Sequence, residues 1–171
     1  PTEEAILGVY FVLNDEKVFE TLSAAVNAIS SGGSGVITVE GGTYTENANF
    51  NVQIRNKAVT IRPKDSSHPV TFLSNSQNYL FDVGSNSKLT MEDITVKGKF
   101  SGPALTFNTN QECTISDCEF KNIQNAQNQP GNPINAQNSN LVLNGNTFES
   151  NSKIILKNTV IDWRTVLNDF V

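Results

Sequence analysis

Two aspartates fall at the same place in two similar octets. Leu89-Thr-Met-Glu-Asp-Ile-Thr-Val96 carries Asp93, and Cys113-Thr-Ile-Ser-Asp-Cys-Glu-Phe120 carries Asp117. If both octets are strands stacked in register, the two carboxyls lie about one strand spacing, roughly 4.8 Å, apart. Carboxylates that close can share a proton and divide the roles of general acid and nucleophile. The same pair is a candidate Ca²⁺ site, because Ca²⁺ takes oxygen ligands. Position five is also a turn, where Asp, Asn and Gly belong for backbone reasons. Two further octets hold Gly145 and Asn158 in that slot. Turn chemistry accounts for all four copies and is preferred over catalysis.

Other chemistry is sparse. The chain has one histidine, His68, in the loop Asp65-Ser-Ser-His-Pro69, read as a solvated loop residue. One histidine makes a multi-His zinc site or a His-based catalytic dyad a poor expectation. Cys113 and Cys118 fit no metal motif. They fall at inward positions one and six, where they read as two buried thiols acting as small hydrophobes. A Cys113–Cys118 disulfide is the less favoured alternative, since a bend between them separates their Cα atoms. The segment 122–140, rich in Asn and Gln, reads as a long polar loop. Its amides at Asn122, Gln124, Asn125, Gln127 and Asn128 are candidate contacts to a partner. There is no N-x-[ST] acceptor among the many asparagines.

These residues need a scaffold, and the octets describe one. Leu141-Val-Leu-Asn-Gly-Asn-Thr-Phe148 and Ile154-Ile-Leu-Lys-Asn-Thr-Val-Ile161 complete the set, with a looser copy at Val59-Thr-Ile-Arg62. Positions one, three and eight are apolar or Cys in all four octets, and positions four and five are polar or Gly. Start-to-start spacings are 30, 24, 28 and 13 residues, so the last breaks the pattern. A second strand precedes three copies, at Phe50–Val52, Leu80–Val83 and Ala104–Phe107, with Ile134–Ala136 as a weaker fourth. A period in the twenties, built of short strands, means stacked β-coils whose inward faces make the core only together.

The ends need cover, because open strand edges invite aggregation. Phe19, Leu22, Val26 and Ile29 mark one face of a helix, with Thr21 as N-cap and Gly32-Gly33 as its stop. Asp162 is expected to cap a second short helix, with Trp163, Val166, Leu167 and Phe170 on one face. The expectation is one domain over 1–171: an N-terminal cap helix in 17–33, coils in 34–161 and a helical C-terminal cap in 162–171.

Composition sets the boundaries of function. The net charge is −5, with no Lys/Arg cluster, so neither nucleic acid nor an anionic membrane is an expected partner. No window reaches the roughly 18 apolar residues of a spanning helix. The chain begins at Pro1 and reads as a mature fragment or an excised domain.

The opening resembles that of the pectin-lyase-like superfamily, and pectin methylesterases in particular. The resemblance rests on Phe19, Thr21, Leu22, Ala25 and Val26 in the helix. It continues with Ile37, Val39, Gly42, Tyr44, Glu46 and Asn47 in "VITVEGGTYTEN", and with "VTIRPKDSSHPVTF". It covers roughly residues 17–75 and implies an all-β, right-handed parallel β-helix. It also implies Asp residues on adjacent coils as catalytic groups, here Asp93 and Asp117. The family's Gln-Asp-Thr and Gly-Arg-Pro-Trp segments are absent, as are the polygalacturonase and pectate-lyase motifs. An enzyme for an anionic sugar should cluster cations; Lys97, Lys99 and Lys121 are the modest candidates.

The first expectation is therefore a non-catalytic, cofactor-free β-helix of a secreted or cell-surface protein. It would serve adhesion, recognition or scaffolding, with a protein or glycan ligand. The alternative is a carbohydrate-active esterase or lyase using Asp93 and Asp117 on an acidic polysaccharide.

Overall fold

Apolar residues alternate with polar ones over runs of three to six, the period of a strand with one face buried. The computed structural model describes residues 10–163 and 168–171. It begins with a hairpin of β1 (Phe11–Leu13) and β2 (Lys17–Phe19), followed by a short helix, α1 (Leu22–Asn27). The first coil is β3 (Ser34–Val39), β4 (Gly42–Tyr44) and β5 (Val52–Ile54). Next come β6 (Ala58–Pro63), β7 (Val70–Gln77) and β8 (Phe81–Val83), then β9 (Lys88–Glu92), β10 (Ile94–Phe100) and β11 (Leu105–Phe107). The fourth is β12 (Glu112–Ser116), β13 (Glu119–Gln124) and β14 (Ile134–Gln137). The fifth is β15 (Asn140–Asn144), β16 (Thr147–Glu149) and β17 (Ile155–Lys157), and β18 (Val160–Trp163) and β19 (Asp169–Phe170) begin a sixth.

Successive coils pair in parallel, so the strands sort into three sheets along an all-β solenoid of about six turns. One sheet holds β3, β6, β9, β12, β15 and β18; a second holds β4, β7, β10, β13, β16 and β19; the third holds β5, β8, β11, β14 and β17. Every third strand returns to the same sheet, so equivalent side chains form columns. Ile37, Ile61, Met91, Ile115 and Leu143 make one fully buried column. Tyr44, Phe72, Val96, Phe120, Phe148 and Phe170 make another. Within it Phe120, Phe148 and Phe170 stack at 5.1 and 5.0 Å, nearly parallel. Such contacts add about 0.5–1.5 kcal/mol per pair beyond area burial.

The corners explain the Asn, Asp, Ser and Thr content. Asn56, Asn86, Asn138 and Asn158 turn the chain from the third sheet into the first with φ between 50° and 55°. Asn is among the few L-residues that tolerate this region. Just inside that corner, hydroxyls bridge the coils: Ser87 N–H donates to Thr109 Oγ1 at 3.2 Å, and Thr109 N–H to Ser139 Oγ at 3.2 Å. Buried backbone donors are thereby satisfied where the sheets stop.

At the amino end β1 pairs antiparallel with both β2 and β3. The helix is shorter than the 17–33 expected, because Lys17–Phe19 is spent on β2. Thr21 is the N-cap as expected, its Oγ1 accepting from Ala24 N–H at 3.1 Å. Leu22, Val26 and Ile29 join the core, and Phe19 packs partly buried against it.

Two expectations at the other end are corrected. Asp162 does not cap a helix: it lies within β18, and Asp169–Phe170 is a strand in register with Thr147–Phe148. Val166 and Leu167 lie outside the described residues. The octet starting at Ile154 is also out of register. Leu141 pairs with Ile161, so the next rung of the first sheet starts at Val160, 20 residues after Asn140. Ile155–Lys157 belongs to the third sheet instead, beside Asn135–Gln137.

Candidate functional site

Asp93 and Asp117 are brought together as the spacing predicted. Glu92 pairs with Ser116, which places the following aspartates on successive rungs at the corner between the first and second sheets. Their φ values are +56° and +53°, and Gly145 on the next rung has +71°. The backbone at this corner is left-handed on three rungs, and its N–H groups bond the rung beyond. Asp93 donates to the Ser116 carbonyl at 3.0 Å and Asp117 to the Asn144 carbonyl at 2.9 Å. Both side chains are exposed. Partial burial pushes the Asp93 carboxyl above the ordinary carboxylate range, and the charges of Asp117 and Glu119 add to that.

The surroundings decide what this pair can do. Lys121 faces Lys97 across the rung, and Lys99 lies two residues along, so the three lysines share the second sheet. Lys121 is already held by Glu119 at 3.1 Å and lies 3.9 Å from Glu149. Arg55 is committed elsewhere, to Asp82 at 2.9 Å on the third sheet. The rings of Phe72 and Phe120 point into the core and are fully buried. A sugar ring at the aspartates therefore meets no stacking platform from these residues. Among the described residues no group of three or more His, Cys, Asp or Glu is arranged to hold a metal ion.

Directly beneath the aspartates lies a column that position six only hinted at. Ile94, Cys118 and Asn146 occupy it, and the Asn146 amide is almost wholly buried. Its Oδ1 accepts from Cys118 N–H at 2.9 Å, and its Nδ2 donates to the Ile115 carbonyl and to Asn168 Oδ1, both at 2.9 Å. The aspartate corner is thus backed by a hydrogen-bonded amide ladder, a structural support.

Both cysteines are buried free thiols. Burial pushes Cys113 up to about 11 and Cys118 up to about 12. Cys118 Sγ lies 3.3 Å from the Ser116 carbonyl, and Cys113 Sγ 3.4 Å from Leu89 N on the neighbouring rung.

The segment 122–140 is not one long loop: residues 122–124 end β13 and Ile134–Gln137 is β14, so the loop between them is residues 125–133. Asn125 Oδ1 accepts from the Gln127 and Gln129 N–H groups, so this side chain shapes the loop. Asn122, Gln124, Gln127 and Asn128 are exposed. Asn122, with φ +51°, is the residue skipped where β13 shifts register against β10, and Asn128, with φ +62°, lies in the turn beyond the strand.

A further feature lies at the corner between β3 and β4. Two hollows, of about 510 and 290 Å³, meet over Gly41, Gly42 and Thr43. His68, Pro69 and Thr71 wall the larger, and Tyr10 and Glu46 the smaller. His68 is exposed as expected, with Nδ1 3.0 Å from Asp65 Oδ2. It also packs on Gly41, where an added Cβ would fall 2.6 Å from the His68 Cβ. The Gly-Gly pair was the available signal; the approach of a residue 27 positions on was not legible without the coil register.

Comparison with protein-family models, with curated proteins and with solved structures finds no match to the chain.

Proposed function

We propose that the chain is a non-catalytic, right-handed parallel β-helix of pectin-lyase-like kind from a secreted or cell-surface protein. Its role is adhesion, ligand recognition or scaffolding, with a protein or glycan as the partner. The right-handed sense rests on the strong chiral preference of parallel crossovers. The hairpin and α1 serve as the amino-terminal cap. One observation carries the non-catalytic reading: Asp93 and Asp117 occupy exposed left-handed turn positions, a backbone reason for their identity that Gly145 shares. A rigid stack with variable loops suits recognition, because a scaffold holds its loops at fixed separations.

A second reading has a specific observation behind it. The raised carboxyl of Asp93 beside Asp117 is what an acid–nucleophile pair requires, and the three lysines lie on the adjoining sheet. That reading makes the chain an esterase or lyase for an acidic polysaccharide.

A binding screen tests the first reading. The purified chain and its Asp93→Asn/Asp117→Asn double variant are applied to a glycan array and to immobilised cell-surface proteins. The expected result is the same ligand retained by both proteins. Loss of retention in the double variant would assign the aspartates to a ligand site and overturn the turn reading.

A further inference from the structure

We infer that the groove over Gly41–Gly42 binds a neutral, hydroxyl-rich sugar chain. This deepens the recognition reading above and rests on it. It assigns the site to the first-to-second sheet corner of the opening coil, two coils before Asp93 on the same corner.

The floor comes first. Gly41 lies against His68, so a side chain there would displace it, and Gly42 sits at φ +150°, which L side chains rarely adopt. The Gly42 N–H is fixed to the Pro69 carbonyl at 2.9 Å. His68 covers Gly41, and Gly42 is left as bare backbone with nothing within 4 Å of its Cβ position, held in place by the next coil. Bare backbone permits close approach of a ligand.

The walls supply what a sugar needs. Tyr10 is half-buried and held edge-on by Tyr44, with ring centroids 5.6 Å apart and planes at 85°. Tyr44 is itself fixed by a 2.5 Å hydrogen bond from its hydroxyl to the Glu40 carbonyl. Tyrosine offers a rigid apolar face at low entropic cost. Glu46 and Thr43 are exposed beside it. Across the glycines, Asp65 orients His68 through Nδ1, which leaves Nε2 for a hydroxyl. Carboxylate and hydroxyl groups in the hollow with Tyr10, and an imidazole in the adjoining one, match a chain of alternating hydroxyls.

Charge selects among sugars. Among the described residues no lysine or arginine lines either hollow, while Glu40 lines the larger and Glu46 the smaller. Lys64 answers Glu40 at 3.2 Å, so Glu46 sets the remaining sign. A uronate or sulfated chain is repelled, and a neutral one is not.

The test is an amide-shift NMR titration of the full chain with four neutral tetrasaccharides: gluco-, xylo-, manno- and galacto-configured. Tetragalacturonate and tetralysine serve as charged probes. At least one neutral probe is expected to shift the Gly41, Gly42 and Thr43 amides saturably. Glu46→Gln and Tyr10→Leu should each weaken that binding about tenfold, a factor corresponding to about 1.4 kcal/mol. Unchanged resonances in the later coils certify that each variant is folded. Shifts confined to residues 122–128 would overturn this site and leave glycan recognition standing. Saturable shifts of the groove by tetragalacturonate or tetralysine alone would overturn the neutral-sugar assignment. No shift from any probe up to about 10 mM, weaker than ordinary sugar affinities, would overturn the site and leave a protein ligand as the recognition reading.

Discussion

Asn146 Oδ1 accepts the Cys118 N–H at 2.9 Å, so a side chain on one rung continues the backbone ladder of its neighbour. The same amide donates to the Ile115 carbonyl at 2.9 Å. Strand pairing stops at the corner, and the Asn146 amide takes up two backbone groups left there. Asn146→Ala would orphan a donor and an acceptor in a buried site. The expected cost is about 2–4 kcal/mol, from the desolvation of two unsatisfied groups. Urea unfolding followed by far-UV circular dichroism measures it. A loss under about 0.5 kcal/mol, the usual range of a surface change, would contradict this role.

At the Asp corner the backbone dictates the residue. Asp117→Gly should leave stability unchanged or slightly improved, whereas Asp117→Val should cost about 1–2 kcal/mol, the penalty of a left-handed L-residue. Asp93 adds a pH signature. Its carboxyl binds a proton more tightly folded than unfolded, because burial and the neighbouring carboxylates disfavour the charge. Its contribution is therefore fully present below the unfolded carboxylate value and is lost as pH rises through the raised folded value. Asp93→Asn should remove that fall. Urea midpoints of the two proteins compared between roughly pH 4 and pH 6, the window just above ordinary carboxylates, test the sign.

The thiols should be silent in the native protein. Cys113 and Cys118 are buried, and burial raises both toward about 11 and 12, so little thiolate exists near neutrality. An alkylating reagent at pH 8 is expected to label neither cysteine until denaturant is added, and then both. Rapid native labelling of either one would contradict the packing of that column.

Much of the solenoid was legible because columns impose repetition. Leu89, Cys113 and Leu141 hold one position in successive octets, as do Val96, Phe120 and Phe148, and the rungs pair as that alignment requires. The alignment slipped at Ile154, since Ile154–Leu156 and Val160–Ile161 are equally apolar and period alone does not say which run starts a rung. A 13-residue spacing cannot hold three strands and three corners; the 20 residues from Asn140 to Val160 can. Both described ends of the expected carboxy-terminal helix, Asp162–Trp163 and Asp169–Phe170, are strands for a related reason. The 163, 166, 167 and 170 spacing has a helical period, but Phe170 is the next ring on the Phe120–Phe148 column. Columns of rings are a tertiary fact with no local signature. At the candidate sites the aspartate pairing was visible from register. The fold-back of His68 onto Gly41 was not, and neither was the use of Asn125 to shape its own loop.

The proposed function makes this solenoid non-catalytic, with Asp93 and Asp117 as turn residues. The most direct measurement incubates the chain with methyl-esterified and de-esterified polygalacturonate and follows methanol release, reducing ends and unsaturated products. The expected result is a rate equal to buffer for wild type, Asp93→Asn and Asp117→Asn alike. Product formation by the wild type that disappears in either variant would contradict the account.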